Sequence, residues 1–261
     1  MFYKPKVSIL MFVYNGQLFV KDAISSIIKQ EYKNWELIII NDASIDNTLS
    51  IIKEFKNKKI IVKSISRNIG AYKATMLGLS FCKSKYICFL DSDDLMHKKK
   101  LLEQVNFLEK ENKFVAVFNW YEKINYKNKI IKKTKNIENQ EKFNLLFPVE
   151  NFICNSSVMF RRELLKKINF YDKNIIYAYD YNFYLKIFKK YKFGLIKKIY
   201  TKYRVHRFQR TQNIDLKKTI IKENLYHLRW SKKNNLIDKS NIFFYFKNLT
   251  VNYLKLFFTI Q

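Results

Sequence analysis

The first hundred residues alternate short apolar runs with helical patterns, and this alternation constrains the fold more than any other feature. Four apolar runs are typical of buried strands: Val7–Val13, Glu36–Ile40, Lys59–Ile65 and Tyr86–Leu90. The segments between them carry apolar residues three and four positions apart, as amphipathic helices do: residues 17–30, a segment that ends near Phe55, and Ala71–Cys82. Strands that alternate with helices at this spacing predict βαβ units and a mainly parallel sheet covered on both faces.

The second half of the chain is less regular than the first. Phe114–Ile124 and Phe152–Phe160 are typical of strands, and Tyr179–Tyr191 and Leu216–Lys232 are typical of helices. The stretch Asn125–Asn139 is polar and rich in lysine, which indicates a solvated loop or hairpin. We therefore predict an α/β fold with a mixed, mainly parallel sheet flanked by helices, followed by a C-terminal helical extension.

A large excess of cations narrows the range of partners. The chain has 50 Lys and Arg against 22 Asp and Glu, a formal net charge of +28. Such a charge suggests nucleic acid, phosphorylated metabolites or an acidic membrane face. Only seven of the cations are arginine, and residues with AT-rich codons (Lys, Ile, Asn, Phe and Tyr) dominate the sequence. Codon bias could therefore generate much of the charge without selection for a ligand, and the scarcity of arginine weakens a nucleic-acid interpretation.

Cysteine usage and the lack of long apolar runs bear on the compartment. Cys82, Cys88 and Cys154 are scattered and form no CxxC pair, so neither a disulfide framework nor a zinc site is indicated. The N-terminal residues lack the features of a signal peptide, and no apolar run reaches the roughly 18 residues of a membrane span. We expect a cytoplasmic protein that can contact the inner face of the cytoplasmic membrane peripherally.

The few acidic residues of the first hundred positions concentrate just after predicted strands. Asp42 follows the second strand, and Asp91, Asp93 and Asp94 follow the fourth. In an open α/β sheet, ligands bind at the carboxyl ends of the strands. Carboxylates at such an edge can share one Mg²⁺ or Mn²⁺, which would also take diphosphate oxygens. Helix capping by Asp91 or Asp93 is the simpler alternative, although capping does not require three neighbouring carboxylates.

Four motifs, in the same order along the chain, resemble those of the family 2 glycosyltransferases, which have the GT-A nucleotide-sugar-binding fold. They are Val7–Asn15 as the opening strand with its Tyr-Asn end, Asn41–Thr48 as the Asn-Asp-Gly-Ser loop, Asn68–Gly70 with Ala74 and Gly78, and Leu90–Asp94 as the DxD segment. The resemblance departs at Phe12, which stands for a usual proline, and at Ala43, which stands for a usual glycine. Alanine is harder to place than glycine if the backbone there requires a positive φ.

The resemblance implies a nucleotide-sugar site built from the first three motifs. Val13, Tyr14 and Asn15 would line the nucleobase pocket. Asp42 would accept a hydrogen bond from the uracil or ribose of the nucleotide sugar, and Asn68 would belong to the same site.

Other matched residues would serve the diphosphate and its metal ion. Asp91 would lie near the ribose or the metal, and Asp93 would bind Mn²⁺ or Mg²⁺ that bridges the diphosphate. Tyr203–His206 resembles the family's late Tyr-Arg-x-His element, in which Arg204 would contact phosphate and His206 would bind the metal or the diphosphate. A divalent cation offsets the charge that develops as a nucleoside diphosphate leaves. A purely structural role is the alternative for His206.

Glycosyl transfer also needs a base for the acceptor hydroxyl. Residues 168–172 and Ala178–Tyr181 resemble the family's segment that ends in Glu-Asp at the start of a helix. Asp180 matches the aspartate that is the catalytic base of inverting members, whereas Tyr179 stands where glutamate is usual. A carboxylate near a helix N-terminus is stabilised in its charged form and is therefore available as a base. An N-cap role for Asp180, and an inactive scaffold-type relative, are the alternatives.

Residues 241–260 are rich in aromatic side chains and predict an amphipathic helix with a broad apolar face. Its polar stripe consists of Asn241, Tyr245, Asn248, Asn252, Lys255 and Thr259. The helix could pack on the rest of the chain or on a second subunit. It could also lie in an anionic membrane interface.

The sequence therefore predicts a GT-A domain over residues 1–215, with a nucleotide-sugar-binding half (1–100) and an acceptor-binding half (101–215), and an extension over 216–261. The predicted function is an inverting, metal-dependent hexosyl- or N-acetylhexosaminyltransferase that uses a UDP-sugar. Its acceptor would be a glycan or lipid-linked glycan in bacterial surface polysaccharide synthesis. A nucleotidyltransferase on a similar fold is the nearest alternative, and a basic nucleic-acid- or membrane-binding protein without activity is the alternative from another class.

Overall fold

The structure, a computed structural model, describes residues 6–134, 137–170, 172, 174–209 and 214–260. The chain divides into two compact units that interleave along the sequence. The first unit comprises residues 1–135, 154–167 and 192–204, and the second comprises 136–153, 168–191 and 205–261. These compact units differ from the predicted division at residue 215, and that division stays a prediction. The functional halves assigned to 1–100 and 101–215 stay predictions.

Within the described residues, the first unit is built on one nine-stranded sheet. Its strands are β1 (Val7–Val13), β2 (Trp35–Asn41), β3 (Ile60–Ser64), β4 (Tyr86–Phe89), β5 (Leu95–Met96), β6 (Phe114–Ile124), β7 (Ile130–Thr134), β8 (Val158–Arg161) and β9 (Lys192–Arg204). The strand order is β3-β2-β1-β4-β8-β6-β9-β5, with β7 paired to β6. β1 pairs in parallel with β2 and with β4, and β2 pairs in parallel with β3, whereas β8 runs antiparallel to both β4 and β6. The predicted mixed α/β sheet is confirmed.

Some helices flank this sheet within the first unit, and others form most of the second unit. Their bounds are α1 (Val20–Ile28), α2 (Thr48–Lys53), α3 (Ala71–Phe81), α4 (Lys100–Lys110), α5 (Gln140–Leu146), α6 (Leu164–Lys167), α7 (Tyr179–Lys190), α8 (Ile214–Lys233) and α9 (Ile242–Ile260). In α1, the buried residues Val20, Ala23, Ile24 and Ile27 recur at helical spacing and join the core beneath β1 and β2. Because helices cover the sheet, β1 and β2 are buried along nearly their whole length.

One predicted strand in the second half of the sequence is mostly a loop. Of the predicted strand 152–160, only Val158 onward is extended, and residues Asn155–Ser157 form a 3₁₀ turn before it. The polar side chains of this turn form hydrogen bonds at the candidate site described below, so they do not alternate as they would in a strand. The stretch from Asn125 forms a hairpin, since β7 pairs antiparallel with β6; residues 135 and 136 of that stretch lie outside the described residues.

In the second unit, an aromatic cluster joins α5 to α7. The rings of Phe143 and Phe147 stack 4.9 Å apart, and those of Phe147 and Tyr181 meet edge to face at 5.4 Å. The hydroxyl of Tyr181 donates to the carbonyl of Phe147 at 2.7 Å, which satisfies the polar end of a buried ring. These contacts fix the body of the helix that carries Asp180.

Helix α9 packs on α8, and part of its polar stripe is buried. Asn241 and Tyr245 are buried, whereas Phe243 is 70% exposed and Phe246 is 53% exposed. Asn252 is also buried, and its amide donates to the carbonyl of Asn248 at 2.8 Å, so the helix itself satisfies this group. The helix does pack on the rest of the chain, as one interpretation predicts: Tyr245 shares a core with Leu228 of α8, and Phe244 and Leu249 pack against that core, whereas Phe243 and Phe246 of the apolar face stay exposed. Among the described residues, no helix is both long and apolar enough to cross a membrane.

Candidate active site

Three parallel strands bring the first group of predicted site residues to one edge of the sheet. β1 lies between β2 and β4, and the carboxyl ends of the three strands carry Tyr14–Asn15, Asp42 and Asp91 in turn. The loops after β1 and β4 lie close together, because a Cβ atom placed on Gly16 would lie 3.5 Å from Ser92 Oγ. The same Cβ would lie 2.6 Å from Val13 Cγ2, so this position requires glycine. The sheet thus assembles a single polar edge, as the sequence predicts.

The loops after β1 and β2 are joined by reciprocal hydrogen bonds. The backbone N–H of Asn15 donates to Ser44 Oγ at 3.0 Å, and the N–H of Ile45 donates to Asn15 Oδ1 at 3.0 Å. Val13 is buried beneath this junction, whereas Tyr14 is 43% exposed. The aromatic ring of Tyr14 is therefore accessible to a ligand. The nucleobase contacts assigned to Val13, Tyr14 and Asn15 stay predictions.

Asp42 holds the loop that precedes α3. Its side chain is fully buried, and its two oxygens accept from the N–H groups of Ile69 (2.8 Å) and Gly70 (2.9 Å). Asn68 returns a bond from its amide to the carbonyl of Asp42 at 3.2 Å. Gly70 has φ +82°, a backbone conformation that residues other than glycine rarely adopt. The observed role of Asp42 is to shape this loop, and its direct contact with uracil or ribose stays a prediction.

The acidic loop after β4 contains one buried carboxylate and two half-buried ones. Asp94 is fully buried and accepts from Ser156 Oγ at 2.6 Å and from the N–H of Arg204 at 2.9 Å. Burial raises the pKa of Asp94 well above its usual value, and the neighbouring charges of Asp93 and Asp91 act in the same direction. Asp94 therefore anchors the loop, whereas Asp91 and Asp93 keep part of their surface exposed.

Arg204 lies at the end of β9 and fastens the same loop from another side. Its guanidinium donates from Nε to the carbonyl of Asp93 at 2.7 Å, forms an ion pair with Asp22 at 3.5 Å and lies over the ring of Phe19. Burial lowers the pKa of Arg204, and the nearby carboxylates oppose that shift. The side chain has no exposed surface. The observed role of Arg204 is therefore to organise the loop, and its contact with phosphate stays a prediction.

The donor set of the acidic loop fits a hard divalent cation. Asp91 and Asp93 offer carboxylate oxygens, which Mg²⁺ and Mn²⁺ prefer. Asp91 is held through its N–H, which donates to Ser156 Oγ at 3.0 Å, and through Oδ1, which accepts from Asn155 at 3.0 Å. Among the described residues, no cluster of three or more His, Cys, Asp or Glu side chains forms a complete metal site. Such an ion would therefore need oxygens from a bound diphosphate, as is usual for Mg²⁺.

Asp180 and His206 belong to the second unit. Asp180 is the second residue of α7 and is half-buried, and its Oδ1 accepts from the N–H of Tyr181 at 2.8 Å. The predicted position at a helix N-terminus is therefore confirmed, whereas the role as a base stays a prediction. Tyr171, in the motif before α7, lies outside the described residues. His206 lies in a turn after β9, and its backbone N–H donates to Gln209 Oε1 at 3.4 Å. The metal contact of His206 stays a prediction.

Sequence reasoning missed the residues that hold the acidic loop in place. Ser156 bonds both Asp94 and the backbone of Asp91, and Asn155 bonds the carboxylate of Asp91. A signal was present: three consecutive polar residues, Asn155–Ser157, interrupt an otherwise apolar stretch. Polar side chains inside an apolar run are expected to have specific partners, because burying them without hydrogen bonds is costly.

Solved structures show the class of fold. Residues 1–349 of S. aureus TarS superimpose with a TM-score of 0.69 at 17% identity, covering 97% of this chain and 72% of that fragment. The fragment has also been solved with UDP-GlcNAc. The mannosyltransferase PcManGT of Pyrobaculum calidifontis, solved with GDP-Man and Mn²⁺, superimposes with a TM-score of 0.65 at 16% identity, covering 97% of this chain and 70% of that one. The sheet and its acidic edge loop therefore define a GT-A glycosyltransferase fold.

Sequence comparison identifies the family. The profile of glycosyl transferase family 2 matches residues 8–169. An uncharacterised glycosyltransferase of Rickettsia prowazekii is 33% identical over 214 residues, covering 80% of this chain and 67% of the relative. A Bacillus subtilis relative named for teichuronic acid biosynthesis is 34% identical over 108 residues, covering 41% of this chain and 43% of the relative. The chain belongs to glycosyl transferase family 2, and it is a glycosyltransferase.

Proposed function

We propose that this glycosyltransferase moves a hexosyl or N-acetylhexosaminyl group from a UDP-sugar to an acceptor hydroxyl, with inversion and with help from a divalent metal ion. The observation that carries the proposal is the acidic loop after β4. Asp94, Ser156 and Arg204 fix its backbone, while Asp91 and Asp93 stay partly exposed. The UDP-GlcNAc complex of TarS supports the choice of donor.

The metal ion would be held by Asp93, with Asp91 beside it and His206 as a further predicted ligand. When bound, Mn²⁺ or Mg²⁺ would offset the negative charge of the departing diphosphate. The carboxylate oxygens of the loop suit either ion. The presence of Mn²⁺ in the PcManGT complex supports this assignment.

The residues of this chain would divide the remaining work between binding and proton transfer. Val13, Tyr14 and Asn15 would hold the nucleobase, and the Asp42–Asn68 contact would keep the adjoining loop in shape. Asp180 would take the proton of the acceptor hydroxyl as that oxygen attacks the anomeric carbon in line. UDP would leave from the opposite side, so that an α-linked donor gives a β-linked product.

The acceptor would be a bacterial surface glycan or its lipid-linked precursor, made at the cytoplasmic face of the membrane. The name of the B. subtilis relative supports a role in polysaccharide synthesis. The exposed face of α9 supports peripheral contact with anionic lipid, because Phe243, Phe246 and Leu254 lie on it beside Lys247 and the helix contains no acidic residue. Replacement of Phe243 and Phe246 by serine should reduce cosedimentation with anionic vesicles, and unchanged cosedimentation would contradict this contact.

One screen tests the proposed reaction. UDP-, GDP- and CMP-sugars are compared for thermal stabilisation of the protein with and without Mn²⁺, and the products are then identified. We expect stabilisation by a UDP-sugar that requires Mn²⁺, followed by release of UDP. Release of pyrophosphate from a nucleoside triphosphate, or no stabilisation by any nucleotide sugar, would contradict the proposal.

A further inference from the structure

A buried carboxylate on α8 binds the backbone directly before α7. Glu223 is only 4% exposed. Its Oε1 accepts from the N–H of Ile176 at 2.7 Å and its Oε2 from the N–H of Ala178 at 2.7 Å, while the N–H of Tyr177 lies within 3.2 Å of both oxygens. Hydrogen bonds from several amides to one ionised carboxylate are stronger than neutral ones. Three consecutive residues are therefore tied to a single side chain.

These three residues lead into the helix that presents Asp180. The first N–H groups of a helix have no partner within the helix, and a local side chain usually caps them. The N-cap of α7 is Ala178, which provides no side-chain cap. Glu223 does not cap these groups but holds the backbone just before them: it binds the N–H groups of residues 176–178, and the last of these, Ala178, lies two positions before Asp180. The direction in which α7 begins thus depends on Glu223.

The segment before α7 is also held at Asp172, by one residue of α8 and one residue of α7. Tyr226, one turn after Glu223, donates from its hydroxyl to Asp172 Oδ2 at 3.4 Å. Lys186 of α7 forms an ion pair with the same carboxylate at 3.5 Å. Both partners of this ion pair are largely buried. The loop is therefore fixed at Asp172 and again at residues 176–178, and Glu223 makes the attachment nearer to Asp180.

We propose that Glu223 is a positioning residue for Asp180: it sets the entry of α7 so that the Asp180 carboxylate meets the acceptor hydroxyl. This inference rests on the proposed function, in which Asp180 is the base. Small displacements of a reacting group can reduce turnover about 100-fold, which sets the size of the expected effect.

The test compares Glu223→Gln with Tyr226→Phe, which removes the hydroxyl that bonds Asp172 and leaves the contacts of Glu223 with residues 176–178 in place. A glutamine has a single accepting oxygen, so it cannot hold all three N–H groups as the carboxylate does. UDP release is measured for both variants below their unfolding temperatures. We expect Glu223→Gln to lower kcat about 10- to 100-fold with KM for the donor unchanged, which is the signature of an interaction made only in the transition state. Tyr226→Phe should lower kcat far less.

A purely structural role gives a different pattern. It would lower the unfolding temperature of Glu223→Gln without lowering kcat in the folded protein, and that result would overturn the inference. In the Asp180→Asn background, Glu223→Gln should cause no further loss of residual turnover, since the group that it positions is absent. An equal, additive loss in that background would also overturn it.

Failure of the proposed function is distinguishable from failure of this inference. If Asp180→Asn turns over like the wild type, Asp180 is not the base and both proposals fall. If Asp180→Asn is inactive while Glu223→Gln keeps the wild-type kcat, only the positioning role is wrong. Should Glu223→Gln not fold, Glu223→Asp replaces it, because the shorter side chain keeps the charge but withdraws it from the three N–H groups. Wild-type kcat in Glu223→Asp would then overturn the inference.

Discussion

The loop after β4 and the loop before α7 share one arrangement of carboxylates, although they belong to different units. In the first, buried Asp94 accepts a backbone N–H and a hydroxyl, while Asp93 stays partly exposed. In the second, buried Glu223 accepts three backbone N–H groups, while Asp180 stays partly exposed. In each loop, a buried carboxylate fixes the backbone that presents an accessible one. The difference is that Asp94 adjoins the residue that it supports, whereas Glu223 lies on another helix.

The largest effect should follow replacement of the accessible acid in the second loop. Asp180→Asn keeps the size of the side chain and its bond to the N–H of Tyr181, but it removes the proton acceptor. We expect transfer to fall by about 10²- to 10⁴-fold, the usual contribution of a general base. Release of UDP measures it. Asp238→Asn, a change at another acidic residue of the same unit, is the control and should leave turnover unchanged.

Replacement of Asp93, the accessible acid of the loop after β4, should affect donor binding as well as turnover. Asp93→Asn removes a charged oxygen that the metal ion would use, so the affinity for Mn²⁺ should fall at least about tenfold. The measurement is the Mn²⁺ concentration that gives half of the donor-induced thermal stabilisation. An unchanged Mn²⁺ requirement would show that Asp93 is not a ligand.

Removing the Ser156 hydroxyl, which holds the loop after β4, should lower the free energy of unfolding. Ser156→Ala removes the donor to the Asp94 carboxylate and the acceptor for the N–H of Asp91, which should cost about 1–3 kcal/mol. Ser157→Ala is a matched control: its buried hydroxyl donates to the carbonyl of Cys154 at 2.6 Å and makes no bond to a carboxylate. Denaturant unfolding of both variants should show the larger loss for Ser156→Ala. Equal losses would remove the special role assigned to the Asp94–Ser156 bond.

The smallest effect concerns the backbone of the loop after β2, at Ala43. Ala43 has φ +57°, where a Cβ is unfavourable. Ala43→Gly should therefore stabilise the protein by up to about 1 kcal/mol, the relief of strain exceeding the added entropy of the unfolded chain. Ala74→Gly, inside α3, should destabilise it by a similar amount. Thermal unfolding of the two variants should thus shift in opposite directions.

The sequence reveals local organisation better than contacts between distant segments. Four of the five strands of the first hundred residues, β1 to β4, and the acidic loop follow from short-range patterns, because each depends on neighbouring residues. The partners Ser156 and Arg204 of Asp94 come from distant segments of the chain, and no local pattern links them to it. The same holds for Glu223, which resembles any other acid on an amphipathic helix. The amphipathic pattern of residues 241–260 was partly misleading, because Asn241 and Asn252 are buried while Phe243 is exposed.

The central claim, that the acid of each loop has a separate task, is tested most directly by measuring donor binding and turnover in the same two variants. Thermal stabilisation by the UDP-sugar that binds the wild type, with Mn²⁺, is measured for Asp93→Asn and Asp180→Asn beside UDP release. We predict that Asp180→Asn keeps the stabilisation but releases almost no UDP, whereas Asp93→Asn loses both. Full stabilisation and full turnover in Asp93→Asn, or wild-type UDP release by Asp180→Asn, would contradict the account.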